Sequence, residues 1–286
     1  MSAGPAVQRL SRFSLTTADA ERLAAFYKGV FGCRRLGTEH VSGVAFETLM
    51  GVKGGALRIT LSLGKQVIEL LQFDHPGKPY PDNGSASDLI FQHFAIVVRD
   101  MAEAYRRLSA MEGWTAISRG GPQRLPASSG GVTAFKFRDP ERHPLEFLSF
   151  PKEATPAHWR KGQSDEVCLG IDHSAISVSD TARSVSFYEN LGFQMSSRSL
   201  NRGTEQENLD DIAGAKVEVT ALGPRWPDPH LELLCYRAIP RSGKLERANA
   251  DIATTRLIFE ASNCAVPRDS VDSDGHHLIV EGQAVR

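Results

Sequence analysis

The sequence has few cysteines, no long apolar run and no excess of charge of one sign. Its four cysteines lie far apart and form no CxxC pair, which argues against a zinc–thiolate site or a disulfide framework and fits a reducing cytoplasm. No apolar stretch approaches the length needed to span a bilayer, and the N-terminus lacks the apolar region of a secretory signal. Basic residues are scattered and number 33 against 34 acidic ones, so neither a membrane nor a nucleic acid is an expected partner.

What the sequence does contain is a repeat. Three stretches each consist of an alternating strand, an aspartate and an amphipathic helix: RFSLTTADAERLAAFYKGVFG, HFAIVVRDMAEAYRRLSAMEG and HSAISVSDTARSVSFYENLGF. The aspartates, Asp19, Asp100 and Asp180, occupy the position that caps a helix N-terminus. A fourth, weaker copy starts as RLIFEAS. The four strands begin 81, 80 and 83 residues apart, at Arg12, His93, His173 and Arg256.

Each of the first three units ends in a matching strand with a recurring carboxylate. The strands are VIELLQF, PLEFLSF and HLELLCY, and alternation puts the carboxylate and an aromatic ring on one face. Acidic residues avoid burial unless they are paired or bind a metal, so this repetition predicts a function for that face. The residues concerned are Glu69 and Phe73, Glu146 and Phe150, and Glu232 and Tyr236.

Two further strands fit between the helix and the last strand of each full unit, whereas the fourth unit is too short for them. The predicted fold is therefore α+β, built from tandem βαβββ modules that pair into curved mixed sheets, with the last module truncated. We place an N-terminal domain of two modules at 1–150 and a C-terminal domain at 168–286. The polar, proline-containing segment 151–167 is predicted to be the linker.

The helix ends, Phe26-Tyr27 with Phe31-Gly32 and the matching FY…LG at 187–192, together with FRDPERHPLEFLSF at 137–150, resemble the vicinal oxygen chelate superfamily. This superfamily includes glyoxalase I, bleomycin-resistance proteins and extradiol dioxygenases, and the chain resembles a two-domain member. The resemblance implies that two modules close a cup. It also implies that metal ligands come from the first and last strand of each module.

Pairing the modules in chain order gives the first cup Arg12, Glu69, His93 and Glu146. A guanidinium cannot ligate a cation, so the expected ligands are Glu69, His93 and Glu146, with Fe, Mn, Zn, Ni or Mg as the divalent ion. Substrate contacts are then expected from Arg12, Phe73 and Phe150. The second cup keeps only His173 and Glu232 as candidate ligands, because Arg256 is also a guanidinium and Ile279 has no donor atom. The residues expected in this cup are His173, Glu232, Tyr236 and Arg256.

Three functions follow from the resemblance. The first is a metal-dependent lyase, isomerase or epimerase that stabilises an enediolate or oxyanion of a small oxygen-rich substrate, with Glu69 or Glu146 as the base. The second is extradiol ring cleavage, which calls for two histidines and one carboxylate on Fe(II). The third is a metal-free binding protein of the bleomycin-resistance kind, in which Arg12 pairs with Glu69 and His93 with Glu146. A homodimer is compatible with each of them.

Overall fold

Four modules make up the chain, seen in a computed structural model that describes residues 6–82, 84–160, 166–226, 229–239, 246–262, 264 and 267–282. The first module consists of β1 (Ala6–Thr16), α1 (Ala20–Phe31), β2 (Arg34–Val41), α2 (Val44–Met50), β3 (Ala56–Leu63) and β4 (Gln66–Phe73). The second consists of β5 (Gln92–Val98), α3 (Met101–Ser109), β6 (Thr115–Ala116), β7 (Gln123–Arg124), β8 (Thr133–Arg138) and β9 (Pro144–Ser149), with a 3₁₀ turn at Ala127–Ser129.

The linking segment carries a 3₁₀ turn, Lys152–Ala154, and the short helix α4 (Ala157–Arg160), while residues 161–165 of the predicted linker lie outside the described residues. The third module contains β10 (Cys168–Ser177), α5 (Thr181–Glu189), β11 (Gln194–Arg202), α6 (Thr204–Asp210), β12 (Lys216–Gly223) and β13 (His230–Tyr236). The fourth is reduced, in its described part, to β14 (Thr255–Ser262), β15 (Arg268–Val271) and β16 (His277–Gly282), as the truncation predicted. No described helix is long and apolar enough to cross a membrane.

The modules pair into two curved mixed sheets, but not in the order expected from the sequence. A nine-stranded sheet joins modules two and three through antiparallel pairing of β5 with β10. A seven-stranded sheet joins modules one and four through β1 and β14. The expectation that each half of the chain closes its own cup is therefore wrong. Because the four modules are alike, the repeat does not determine which modules pair at their first strands.

Aspartates cap the helices as the sequence predicted. The side chains of Asp19, Asp100 and Asp180 accept a hydrogen bond from a backbone N–H three residues further on, at 3.0, 3.1 and 2.9 Å. Such caps satisfy donors that the first helical turn cannot pair internally. Each of these helices thus begins within four residues of the end of its strand.

The tyrosine of each FY pair ties together two modules that belong to different sheets. The Tyr27 hydroxyl donates to Asp139 Oδ2 at 3.1 Å, and the Tyr188 hydroxyl donates to Asp272 Oδ2 at the same distance. Both aspartates start a tight turn that is closed by backbone N–H groups three or four residues later, including those of His143 and His276. The motif therefore connects module one to two and module three to four.

The two sheets share one apolar core and turn their other faces away from each other. Phe13 of β1 and Phe94 of β5 pack in this core with ring centroids 5.2 Å apart. Arg12 and His93 immediately precede these two phenylalanines. Because side chains alternate along a strand, Arg12 and His93 point away from the shared core. The molecule consequently has two separate concave faces, one on each sheet.

Candidate metal centre

Two histidines and two glutamates converge on the concave face of the nine-stranded sheet. His93 and Glu146 come from β5 and β9 of module two, and His173 and Glu232 come from β10 and β13 of module three. In each module the first strand pairs in parallel with the last, which brings the histidine beside the glutamate. These are the first-strand and last-strand positions of two modules, combined across the predicted domain boundary.

Three members of this cluster, His93, Glu146 and His173, are close enough to share one ion, and Glu232 lies beside His173. His93 Nε2 lies 2.8 Å from Glu146 Oε2, and His173 Nε2 lies 3.5 Å from Glu232 Oε2. One donor atom each from His93, Glu146 and His173 falls within 4.8 Å of the others. Both ring nitrogens of His93 are buried without an aligned hydrogen bond among the described residues. A buried imidazole that contacts a carboxylate off the hydrogen-bond direction is poorly satisfied, and an ion between the two groups would satisfy it.

Charges in the cluster also suit a cation. Burial outweighs the neighbouring Glu146 and lowers the pKa of His93, so its imidazole is neutral. Burial opposes ionisation of Glu146, but His93 and Lys136 hold the pKa of that carboxyl below its usual value. A neutral imidazole and an ionised carboxylate are the forms that bind metals. His173, in contrast, must release a proton to ligate, because Glu232 and Asp172 overcome its burial and raise its pKa to about 9.

A cavity of about 470 Å³ opens in front of the four residues. Apolar side chains that include Leu125, Leu148 and Phe150 form part of its wall, and Ser129 at the edge donates to Asn201 of β11 at 2.9 Å. The glycine-rich segment that contains Ser129 therefore lies over the cup. A volume of this size suits a small molecule.

A buried ion pair closes one side of this cavity. Lys136 Nζ, which lines the cavity, lies 2.7 Å from Asp210 Oδ1. Asp210 Oδ2 also accepts from the hydroxyl of Tyr236 at 3.0 Å and from the amide of Gln206 at 2.6 Å. Both carboxylate oxygens of Asp210 are thus engaged, and the hydroxyl of Tyr236 is one of the donors that engage them. Lys136 pairs with Glu146 across strands β8 and β9, so it places a cation next to that carboxylate.

Glu69 does not join this cluster, which corrects the predicted ligand set of Glu69, His93 and Glu146. It lies on the other sheet, where its Oε1 is 2.8 Å from Arg12 Nε, and Arg12 also forms a bidentate pair with Glu281 at 2.8 Å for each contact. The Arg12–Glu69 ion pair of the metal-free alternative is therefore present, but it is separate from His93 and Glu146. Neither Arg12 nor Glu69 can contact a substrate at the four-residue cluster.

The rest of the seven-stranded sheet's face is filled by packing. Phe73 is buried in an apolar cluster with Met50 of α2, and the guanidinium of Arg256 lies 5.6 Å from the Phe73 ring centroid. Arg256 is fully buried, donates to Thr16 Oγ1 at 3.1 Å, and burial lowers its pKa to about 10. Phe73, predicted to contact substrate, and Arg256, predicted to belong to the second cup, are thus parts of this core.

Three polar residues of the cavity were missed by sequence reasoning. His230 lies two residues before Glu232, and its Nε2 is 3.5 Å from Glu232 Oε1. Asp172 immediately precedes His173, and Lys136 lies in the strand before Glu146. The alternation that identified the glutamates also places Lys136 and His230 on the concave face. It would have indicated both, had it been applied to every polar residue of these strands.

The fold and the site together define a class of protein. The family model described as the Glyoxalase/Bleomycin resistance protein/Dioxygenase superfamily matches residues 9–147 and 170–285, and the chain belongs to this superfamily. The sequence has no match among curated proteins.

Solved structures of two-domain proteins have the same fold. Glyoxalase I from Zea mays is 15% identical with a TM-score of 0.61, and the match covers 96% of this chain and 92% of that one. A protein from Bacillus subtilis subsp. subtilis str. 168, whose structure is titled as that of a "putative dioxygenase", is 11% identical with a TM-score of 0.56, covering 96% and 85%. At these identities the likeness shows the shared architecture.

Proposed function

We propose that the protein is a divalent-metal-dependent lyase, isomerase or epimerase that holds its ion between His93, Glu146, His173 and Glu232. The observation that carries this proposal is the convergence of two imidazoles and two carboxylates, one of each from two modules, at the base of a cavity. Two nitrogen and two oxygen donors suit Mn, Fe, Ni or Zn, and leave positions for substrate oxygens. Mg is less well matched, since it prefers oxygen ligands.

When bound, such an ion polarises two neighbouring oxygens of a substrate as a Lewis acid and stabilises the negative charge that develops there. The two glutamates differ in accessibility: the Glu232 side chain is 23% exposed and the Glu146 side chain 8%. Glu146 is held against His93, whereas both Glu232 contacts are 3.5 Å long. Glu232 is therefore the carboxylate that is freer to leave the ion and to receive the proton of the C–H bond next to the polarised carbonyl. Burial opposes its ionisation, but His173 and His230 lower its pKa to about 2, so its action as a base requires that these contacts be released.

The remaining cavity residues would orient the substrate. Phe150 and Leu148 offer an apolar wall, which supports the prediction that Phe150 contacts substrate. Lys136 offers a permanent cation beside Glu146, and its charge favours a substrate in which oxygens carry or acquire negative charge. A small hydroxy-carbonyl or dicarbonyl compound with an acidic C–H bond fits these features.

Ring cleavage by a dioxygenase is the second candidate. The sequence argued against it because no predicted cup contained two histidines at aligned positions. The observed pairing of modules brings His93 and His173 together with Glu146, the two-histidine, one-carboxylate set that Fe(II) oxygenases use. Glu232 lies beside His173 but outside that three-residue set, and it favours the first candidate because it supplies a second carboxylate that can act as the base.

Metal reconstitution separates these functions. The protein would be stripped with a chelator, loaded with Mn²⁺, Fe²⁺, Ni²⁺, Zn²⁺ or Mg²⁺, and measured for bound metal by mass spectrometry. Loaded samples would then be incubated in D₂O with a panel of hydroxy-carbonyl compounds and, separately, with catechols under an oxygen electrode. We expect one ion per chain, and deuterium entry next to the carbonyl without oxygen uptake.

A pair of variants controls this experiment. Glu146→Gln removes a ligand and is expected to abolish both ion binding and exchange, whereas Glu281→Gln, on the other sheet, is expected to retain both. Oxygen uptake with Fe²⁺ alone would favour ring cleavage. A wild-type protein that binds none of the five ions would instead support a metal-free small-molecule binder.

A further inference from the structure

A buried carboxylate connects one proposed ligand to the segment between the two halves of the chain. His173 Nδ1 lies 3.0 Å from Asp172 Oδ2, and the indole Nε1 of Trp159 in α4 donates to Asp172 Oδ1 at 3.0 Å. Asp172 is 7% exposed. Both of its oxygens are therefore engaged, one by the histidine and one by the tryptophan.

Local backbone geometry makes this contact feasible. The pairing of β10 with β5 shifts register between Ile171 and His173, so a bulge allows the neighbouring residues Asp172 and His173 both to line the cavity. Gly170 lies two residues before Asp172, and a Cβ added there would be 3.0 Å from two ring carbons of Trp159. Glycine at this position leaves room for the indole ring to approach the strand.

The chemistry of imidazole explains what the carboxylate does. A histidine that donates its Nδ1 proton to a carboxylate presents the lone pair of Nε2, and such a partner fixes the ring and raises its basicity as a ligand. His173 Nε2 faces Glu232 in the cavity. His93 has no comparable partner among the described residues, since its Nδ1 is buried without a hydrogen bond.

We propose that Asp172, held in place by Trp159, is a positioning residue that fixes His173 as an Nε2 ligand of the ion. This inference rests on the proposed metal site. It makes the helix α4 part of that site, although the helix lies outside both sheets.

One competing arrangement uses the same residues. Donor atoms of Asp172, His173 and His230 lie within 4.8 Å of one another and could hold a second ion. That arrangement needs His173 Nδ1 as a ligand and would displace the proton donated to Asp172. If Nε2 ligates the first ion, a second ion on Nδ1 would require an imidazolate that has lost both N–H protons. The hydrogen bond to Asp172 instead leaves His173 as a neutral imidazole.

Metal affinity of three variants tests the proposal. Zn²⁺ dissociation constants would be measured by chelator competition for the wild type, Asp172→Asn, Trp159→Phe and the control Trp226→Phe, whose ring is 62% exposed. We expect binding to weaken by roughly 10- to 100-fold in Asp172→Asn. Trp159→Phe should weaken it by roughly fivefold, the effect of one hydrogen bond, with no change in Trp226→Phe. If Asp172→Asn fails to fold, Trp159→Phe, a change of a half-buried residue on an otherwise exposed helix, remains the test.

An NMR measurement separates positioning from a merely structural role. In the Zn²⁺-loaded wild type, imidazole ¹⁵N spectra should show His173 ligated through Nε2, with an Nδ1 proton protected from exchange. That protection should fall in Trp159→Phe. Ligation through Nδ1, two ions per chain, or unchanged affinity in both Asp172→Asn and Trp159→Phe would overturn the positioning role. A wild type that binds no Zn²⁺, Mn²⁺, Fe²⁺ or Ni²⁺ would overturn the proposed function as well.

Discussion

The two sheets carry related residues at equivalent strand positions, yet their concave faces have become different. In the nine-stranded sheet His173 pairs with the residue two positions before Glu232, and in the seven-stranded sheet Arg12 pairs with the residue two positions before Glu69. Arg12 thus stands in the place of a histidine ligand. Its guanidinium binds Glu69 and Glu281, and the face is closed by ion pairs and apolar packing.

Protonation explains why this exchange has such an effect. A guanidinium remains protonated and has no lone pair to offer, so it neutralises the carboxylates beside it permanently. An imidazole can be neutral and donate a lone pair, so the same carboxylates remain available to an ion. Histidine at this first-strand position leaves the face of the nine-stranded sheet able to bind a cation. Arginine at the equivalent position gives the face of the seven-stranded sheet a cation of its own.

Removing Arg12 should have a large effect on the electrostatics and stability of the closed face. Arg12→Gln leaves Glu69 and Glu281 facing each other with one cation lost, and we expect the free energy of unfolding to fall by about 3 kcal/mol. Urea unfolding measures this loss. The control is Arg9→Gln on the same strand, whose pair with Glu260 is largely solvent-accessible at the arginine and should contribute less than about 1 kcal/mol. Equal effects of the two changes would contradict the account of the closed face.

Two phenylalanines at equivalent positions, Phe73 and Phe150, should differ in what their removal costs. Phe73→Ala empties a packed core position and should lower stability by about 3–4 kcal/mol. Phe150→Ala, on the half-buried cavity wall, should lower it by only about 1 kcal/mol and should instead weaken binding of a cavity ligand. Thermal unfolding of both variants checks the first expectation. A larger loss for Phe150→Ala would show that the cavity is part of the core.

The smallest effect concerns two equivalent histidines, one in a turn of each sheet. Burial opposes protonation of His143, but Asp139 at 2.9 Å raises its pKa. Burial dominates for His276, lowers its pKa, and leaves Nδ1 without a partner among the described residues.

These two shifts predict opposite pH dependence in chelator-treated protein. The contribution of His143 to the free energy of unfolding is fully present below its unfolded pKa of about 6.5, and it is lost as pH rises through the folded pKa. The contribution of His276 is present above that unfolded value and is lost as pH falls through the folded pKa. The deficit in melting temperature of His143→Gln should therefore shrink between pH 5 and 9, and that of His276→Gln should grow. Parallel curves would show that the two turns are electrostatically alike.

Local features of the fold could be predicted from the sequence because they depend on short-range periodicity. The helix caps at Asp19, Asp100 and Asp180 and the inward glutamates follow from spacing within a module. Pairing between modules could not be predicted, because four similar first strands offer the same edges. That single uncertainty moved Glu69 out of the predicted ligand set and brought His173 and Glu232 into the proposed one.

Contacts between side chains of different segments could not be predicted from the sequence either. Asp172 precedes His173, and strict alternation would place it on the opposite face; the bulge in β10 overrides this rule. Trp159 lies in a polar segment that predicted only a linker. Nothing in the spacing of these residues indicates that one binds the other, since the contact depends on where the segment after module two returns to the sheet.

Metal content of two matched variants tests the central claim most directly. Glu232 and Glu69 occupy the same position on the last strand of modules three and one. After chelation, Mn²⁺ loading and gel filtration, mass spectrometry would count ions per folded chain in the wild type, Glu232→Gln and Glu69→Gln. The account predicts about one ion in the wild type and in Glu69→Gln, and a loss of most of it in Glu232→Gln. Ion loss in Glu69→Gln with full retention in Glu232→Gln would contradict it.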